Sequence, residues 1–209
     1  MEHFSYDPHS YDGKAEAFFY GQHKSALSIF RSPNTDNIKG VGLHKHPECD
    51  DIDILIEGVL LFSNDGKRFH RVHAPAVVAN LKGTPHCLIN LDNSIVKMYG
   101  LRSPFRGGIK AYSGEDEKKS KIYKLNNYQK GANDLFESEH TKAIFYKDVR
   151  EIPFYEDDED IILINLGDES IHIEGVELRK SDVLKNWKQK IKLKIENNKL
   201  LVLKTKGLS

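Results

Sequence analysis

The sequence predicts an all-β protein of sandwich or barrel type, and three observations carry that expectation. Apolar and polar residues alternate with period two in short runs rich in β-branched side chains. The clearest sets Ile52, Ile54 and Ile56 against Asp51, Asp53, Leu55 and Glu57. Turn signals recur at short intervals, at Ser32-Pro33-Asn34, Asn64-Asp65-Gly66 and Leu91-Asp92-Asn93. Few windows show the 3.6-residue period of a helix.

The elements follow in chain order. Ala15 to Tyr20 (AEAFFY) and Ser25 to Phe30 (SALSIF) read as early strands that complete one sheet or another. Next come His44 and His46, one residue apart. Alternate side chains of a strand share a face, so both imidazoles point the same way, as two ligands to one ion must. A helical zinc pair would want a separation of three or four residues. Pro47 would interrupt a central ladder, so Pro47 to Asp50 is expected to be a loop that brings the acidic cluster Glu48, Asp50 and Asp51 back over the histidines. The strand through Ile52, Ile54 and Ile56 then runs to Gly58. His70 and His73 lie on a segment leading to Gly83-Thr84-Pro85-His86 and Asn90, and are expected to be surface or packing residues. Arg102 and Arg106 follow, flanked by Ser103-Pro104 and Gly107-Gly108. These flanks mark a loop with solvated arginines, although an arginine there is also placed to meet an anionic substrate at a rim.

These residues resemble the two motifs of the cupin superfamily. His44-Lys45-His46 is followed by four residues, Asp51, six residues and Gly58; Gly83, two residues, His86, three residues and Asn90 complete the second motif. The resemblance implies a cupin-type β-barrel, that is, a double-stranded β-helix or jelly roll. It also implies a metal site made of His44, His46, Asp51 and His86. Germin-like members use the same four-residue gap before their carboxylate, which favours Asp51; the family also tolerates three residues, which leaves Asp50 open. The chain departs from the family in having Asp where Glu is usual, Leu81 where Pro is expected, and displaced leading glycines, with Pro75 where Gly is usual. These last differences change turns and leave the ligand positions alone.

Composition narrows the function classes. The 209 residues contain 31 basic and 31 acidic side chains, so no charge excess argues for a nucleic-acid or anionic-membrane partner. Cys49 and Cys87 are the two cysteines, and Cys87 should face away from its neighbour His86; both read as free thiols of a reducing cytoplasm. Met1 to Gly13 lacks the apolar stretch of a signal peptide and no run reaches transmembrane length, so a cytoplasmic location is expected. Signatures of serine hydrolases, P-loops, dinucleotide folds and C-x-x-C redox sites are missing from the sequence.

The regular pattern breaks at Ala111 to Gly131, where Gly114 to Lys119 forms a charge cluster. A later acidic run, Glu156 to Asp160, reads as a solvated loop. Beyond the break the chain echoes itself. Ile54 to Leu61 and Ile171 to Leu178 share the pattern I-x-I-E-G-V-x-L, and Val78 to Lys82 is echoed by Leu184 to Lys188. The later copy has no His-x-His. The expected organisation is a metal-binding barrel over 1–112, a linker or exposed loop over 113–135, and a degenerate second barrel over 136–209. The alternating lysines from Lys188 to Lys194 read as a solvated edge.

Three neutral imidazoles and one carboxylate suit a divalent transition ion. The resemblance favours Fe(II), while Mn(II), Ni(II), Co(II), Cu(II) or Zn(II) fit the same donors. With four protein ligands an octahedral ion keeps two positions for water, dioxygen or a chelating substrate. Asp53, in phase with Asp51, is expected to face the cavity as an acid/base group or as a partner to ligand, substrate or water. The plainer reading is a strand-end carboxylate that reaches solvent. The resemblance to cupin dioxygenases implies a mononuclear Fe(II) oxygenase, dioxygenase-like, acting on a small polar organic substrate. A redox-neutral isomerase, lyase or decarboxylase and a non-enzymatic binding or sensing module are the alternatives, and a homodimer is the expected assembly.

Overall fold

The computed structural model describes residues 1–4, 15–20, 26–32, 40–90, 96–104, 110–112, 118–153, 155, 160–187, 190–193 and 197–205, with backbone alone for 15–20, 26–32, 40, 41 and 90. Arg106, the turn residues 33–34 and 91–93, and most of both acidic runs lie outside the described residues. Nearly all of the described secondary structure is strand, and its one helical element is a 3-10 turn at Leu125–Asn127. Among the described residues no helix is long and apolar enough to cross a membrane.

The chain forms two units, residues 9–126 and residues 1–8 with 127–209. Strand β1 (Glu2–Phe4) belongs to the latter. The histidine-bearing unit contains β2 (Ala15–Tyr20), β3 (Ala26–Ser32), β4 (Gly40–Lys45), β5 (Asp50–Glu57), β6 (Val59–Ser63), β7 (His70–His73), β8 (Ala76–Asn80), β9 (His86–Asn90), β10 (Val96–Ser103), β11 (Lys110–Ala111) and β12 (Lys121–Lys124). These strands make a six-stranded sheet of order β12-β8-β5-β10-β3-β2 and a five-stranded sheet of order β11-β4-β9-β6-β7, antiparallel throughout. β12 falls inside the stretch read from the sequence as linker or loop. It forms an edge strand because Ile122 and Tyr123 pair with Val78 and Val77 of β8.

Local chemistry sets the turns. Gly58 (φ 93°) closes the β5–β6 hairpin in a backbone region that side chains with a Cβ rarely enter. In the Asn64-Asp65-Gly66 turn, Asp65 accepts hydrogen bonds from the amides of Lys67 and Arg68, each at 2.8 Å. β5 is buried on both faces until Glu57, so its alternation separates two buried faces and does not divide wet from dry. Leu55, on the same face as Asp51 and Asp53, joins Leu60, Phe62, Val72, Ala76, Val78, Val96 and Met98 in an apolar cluster. One face of β5 therefore passes from hydrocarbon at Leu55 to carboxylates at Asp53 and Asp51.

The second unit comprises β1, β13 (Gly131–Glu137), β14 (Thr141–Lys147), β15 (Glu151–Ile152), β16 (Asp160–Asn165), β17 (Ile171–Ile173), β18 (Val176–Leu178), β19 (Val183–Lys185), β20 (Ile191–Lys192) and β21 (Lys199–Thr205). Its large sheet runs β1-β19-β16-β21-β14-β13, with the pairs β15-β20 and β17-β18 beside it. Position for position this repeats the order β12-β8-β5-β10-β3-β2, so β16 stands where β5 stands and β19 where β8 stands. The echo of Val78 to Lys82 in Leu184 to Lys188 agrees with that equivalence. The I-x-I-E-G-V-x-L echo does not, for it relates the β5–β6 hairpin to β17–β18, whose topological counterpart is β6–β7. What the two segments share is a turn with glycine at positive φ, 93° at Gly58 and 84° at Gly175.

Candidate metal centre

β4 and β9 lie side by side with His44 directly opposite His86, and His46 follows the end of β4. Across the barrel β5 contributes Asp51, flanked by Asn80 of β8 and Arg102 of β10. One donor atom from each of His44, His46, Asp51 and His86 falls within 4.8 Å of the others, and all four residues are buried. An ion with bonds of about 2.1 Å separates opposite donors by about 4.2 Å, so a contraction of a few tenths of an ångström closes the set around one cation. A turn joins the two motifs: Gly83 (φ 79°) donates its amide to His46 O at 2.8 Å, and the Thr84 amide bonds Leu81 O.

The outer hydrogen bonds orient the rings. His44 Nδ1 lies 2.7 Å from Gly42 O, and His86 Nδ1 lies 2.9 Å from Thr84 O. A carbonyl only accepts, so both Nδ1 atoms carry the proton and both Nε2 atoms are left for the centre of the cluster. His86 Nε2 meets Asp51 Oδ2 at 3.1 Å. His46 Nε2 lies 3.3 Å from the same oxygen, yet is a buried nitrogen without a hydrogen bond. A buried ring nitrogen left unpaired beside three further donors fits a site suited to a divalent metal ion.

Without an ion the groups divide charge among themselves. Burial, together with the charge of His86, pushes His44 down to about 4. Burial alone would raise Asp51, but the close imidazole nitrogens of His46 and His86 outweigh it and hold the carboxyl well below the usual carboxylate range. His86 moves the other way: burial opposes its protonation, and the hydrogen bond and charge of Asp51 overcome that and raise it. Burial and then the neighbouring Asp51 charge push Asp53 up to about 8.

Asp53 faces the same side of β5 and is 4% exposed, so it is no strand-end carboxylate in water. Asn80 Nδ2 donates to its Oδ2 at 2.8 Å, Ser120 Oγ donates to Asn80 Oδ1, and Asn64 Nδ2 donates both to Ser120 Oγ at 2.9 Å and to Pro85 O at 2.6 Å. This chain of donors ends on Asp53 and also holds the residue before His86. Asn64, Asn80 and Ser120 carried no spacing signal in the sequence.

The remaining candidates separate clearly. Asp50 accepts the Lys82 amide at 2.9 Å and stands outside the four-donor cluster, and Glu48 is exposed. His70 and His73 are exposed on β7. Cys49 and Cys87 are buried and form no disulfide. Arg102, read from its Pro and Gly flanks as part of a loop, is instead on β10, with Nε 3.7 Å from Asp51 Oδ1. The signal for it was the alternation Val96, Met98, Gly100, Arg102, which continues the inward face of the strand by one more step.

In the second unit the described counterparts of His44, His86, Asp51 and Asp53 are hydrocarbon. Ile152 stands opposite Ile191 as His44 stands opposite His86. Ile161 lies between Asn186 and Lys204 as Asp51 lies between Asn80 and Arg102, and Leu163 takes the place of Asp53. All four belong to one buried cluster with Trp187 and Leu193.

No protein-family model and no curated protein matches the sequence. Solved structures do match. A salicylate 1,2-dioxygenase from Pseudaminobacter salicylatoxidans superposes with a TM-score of 0.68 at 11% identity over 94% of this chain and 78% of that one. A bacterial pirin from Escherichia coli, in complex with nickel(II), gives 0.59 at 14% identity over 97% and 87%. A putative glyoxylate-induced protein from Pseudomonas aeruginosa gives 0.62 at 14% identity over 91% and 79%. All three are cupins. At these identities the likeness is one of fold.

Proposed function

We propose, from the cupin fold and its buried cluster of three imidazoles and one carboxylate, that this protein is a mononuclear Fe(II)-dependent oxygenase acting on a small polar organic molecule. The observation that carries the reading is the convergence of His44, His46, Asp51 and His86 inside one barrel. The structural likeness to a salicylate 1,2-dioxygenase supports it, as does a variant of that dioxygenase in complex with gentisate, which superposes at 11% identity with a TM-score of 0.63. Iron(II) held by these residues would supply dioxygen activation and a Lewis acid for an oxygen donor of the substrate. The chain's own contribution is orientation. Gly42 O and Thr84 O fix the tautomers of His44 and His86, and Asn80 holds Asp53 facing the same space.

One observation favours a second reading. A buried carboxyl raised to about 8 beside the cluster can carry a proton at neutral pH, as a redox-neutral isomerase, lyase or decarboxylase needs. The deciding experiment is metal analysis of protein purified without chelator, followed by oxygen-electrode assays of the Fe(II)-loaded protein with salicylate, gentisate, catechols, diketones and thiols. Oxygen uptake that requires both iron and substrate is expected. Turnover that persists anaerobically with Mn(II) or Zn(II), with no uptake under iron, would transfer the assignment to the second reading. In either case Asp53→Asn is expected to lower kcat by about 100-fold or more, with metal content preserved.

A further inference from the structure

We infer that Arg102 is a specificity residue, reading a carboxylate on the substrate, so that the site selects small organic acids carrying a second oxygen donor next to the acid group. This rests on the metal site proposed above and concerns what is bound there, whatever the reaction. Arg102 is on the inward face of β10 directly across from Asp51, one strand pair from the metal cluster. The polar side chains around it are closed off: those of His46 and His86 are 3% and 1% exposed and that of Asp51 is 10%, whereas the Arg102 side chain is 32% exposed. It thus reaches from the cluster toward water.

Its attachment is loose. The 3.7 Å from Nε to Asp51 Oδ1 exceeds hydrogen-bond length, and among the described residues Asp51 is its one ion-pair partner. A guanidinium presents five donors in a planar fork matched to a carboxylate, and a single distant contact through Nε leaves the terminal amino groups for another anion. Charge points the same way. A divalent ion with Asp51 and Arg102 leaves the mouth of the site net positive whichever form Asp53 takes, so an anion is attracted and a neutral analogue is not. If Arg102 served only to steady Asp51, its loss would alter metal affinity and leave ligand selectivity unchanged.

The experiment uses the full-length protein loaded with Co(II), whose visible spectrum reports ligands entering the metal's coordination, and reads no turnover. Glycolate and salicylate are titrated against their neutral amides, glycolamide and salicylamide, in wild type, Arg102→Gln and Arg102→Lys. Co(II) content is measured for each protein. At least one acid is expected to bind wild type tenfold or more tightly than its amide. In Arg102→Gln the preference should fall below threefold at unchanged Co(II) stoichiometry, with Arg102→Lys intermediate. Equal binding of acids and amides by wild type, binding of neither acid, or a preference that survives in Arg102→Gln overturns the inference. Failure of wild type to take up Co(II) overturns it together with the metal site. A protein that selects acids through Arg102 yet consumes no oxygen would refute the oxygenase reading alone.

Discussion

At the scale of single residues, the site is organised by protons. His86 Nδ1 donates to Thr84 O and Nε2 meets Asp51, so in the metal-free protein the neighbouring carboxylate favours a proton on Nε2. A metal must displace that Nε2 proton. Uptake of Co(II) or Zn(II) below pH 6.5, where the raised His86 is mostly protonated, is therefore expected to release a proton from that ring, measured calorimetrically in buffers of different ionisation heat. The release should disappear as the pH climbs through the raised value of His86. Uptake without proton release would contradict the pairing. Asp53 sets a second test. Its folded value, about 8, lies above the 3.8 of an unfolded carboxyl, so it favours folding below about pH 4 and costs stability progressively as pH rises from 4 to 8. Asp53→Asn removes this dependence. Urea unfolding of metal-free protein should show the variant gaining on wild type across that window by more than about 1.4 kcal/mol, the worth of one pKa unit. The histidine spacing and the four-residue gap to Asp51 made the cluster legible in the sequence, because strand periodicity fixes which side chains share a face. The place of Arg102 was harder to read because Ser103-Pro104 and Gly107-Gly108 carry the signature of a loop and mask the strand alternation, while the pairing of β10 with β5 and β3 holds Arg102 in the sheet.

At the scale of elements, two short segments hold the site together. The turn at Gly83 joins the second motif to the first through its amide and His46 O, at a φ of 79°. Gly83→Ala is expected to cost about 1–2 kcal/mol by urea unfolding, from the penalty of a Cβ at positive φ. It should also weaken metal binding, because the turn can relax only by releasing His46. Residue 120 reaches across from the segment before β12. Ser120→Ala removes the donor to the buried Asn80 Oδ1, for an expected cost of about 1–3 kcal/mol with the metal stoichiometry intact. Elements leave a fainter mark in the sequence than the metal-site residues do. Glu57-Gly58 and Glu174-Gly175 look like copies because tight turns make the same demands wherever they occur. Topology shows that the real correspondence of β5 is with β16, where Ile161 and Leu163 bear no chemical resemblance to Asp51 and Asp53. A strand that changes from a polar to an apolar lining keeps its pairing and loses its sequence signature.

At the scale of the molecule, one strand order is used twice with opposite interiors. A bound ion should stabilise the histidine-bearing unit by mass action, by about 4 kcal/mol at a free concentration a thousand times the dissociation constant, seen as a rise in its melting temperature that His86→Ala abolishes. In the second unit Ile161→Asp places a carboxylate among Ile152, Ile191 and Leu163 with no imidazole to pair it. The expected loss is about 3 kcal/mol or more by denaturant unfolding. The all-β class and a second segment without the metal-binding motif were both readable, from the turn spacing and the absent His-x-His. The apolar filling of that segment was not, since Ile152, Ile161 and Ile191 are scattered over forty positions and meet only through strand pairing.

The doubled strand order makes the protein its own reference sample. Amide hydrogen exchange at Ile52 on β5 and at Ile162 on β16 reports the opening of two equivalent strands, one lined by ionisable groups and one by hydrocarbon, in a single tube at a single pH. The gap between their protection factors, followed as metal is added, measures what a polar lining costs a barrel and how much of that cost an ion returns.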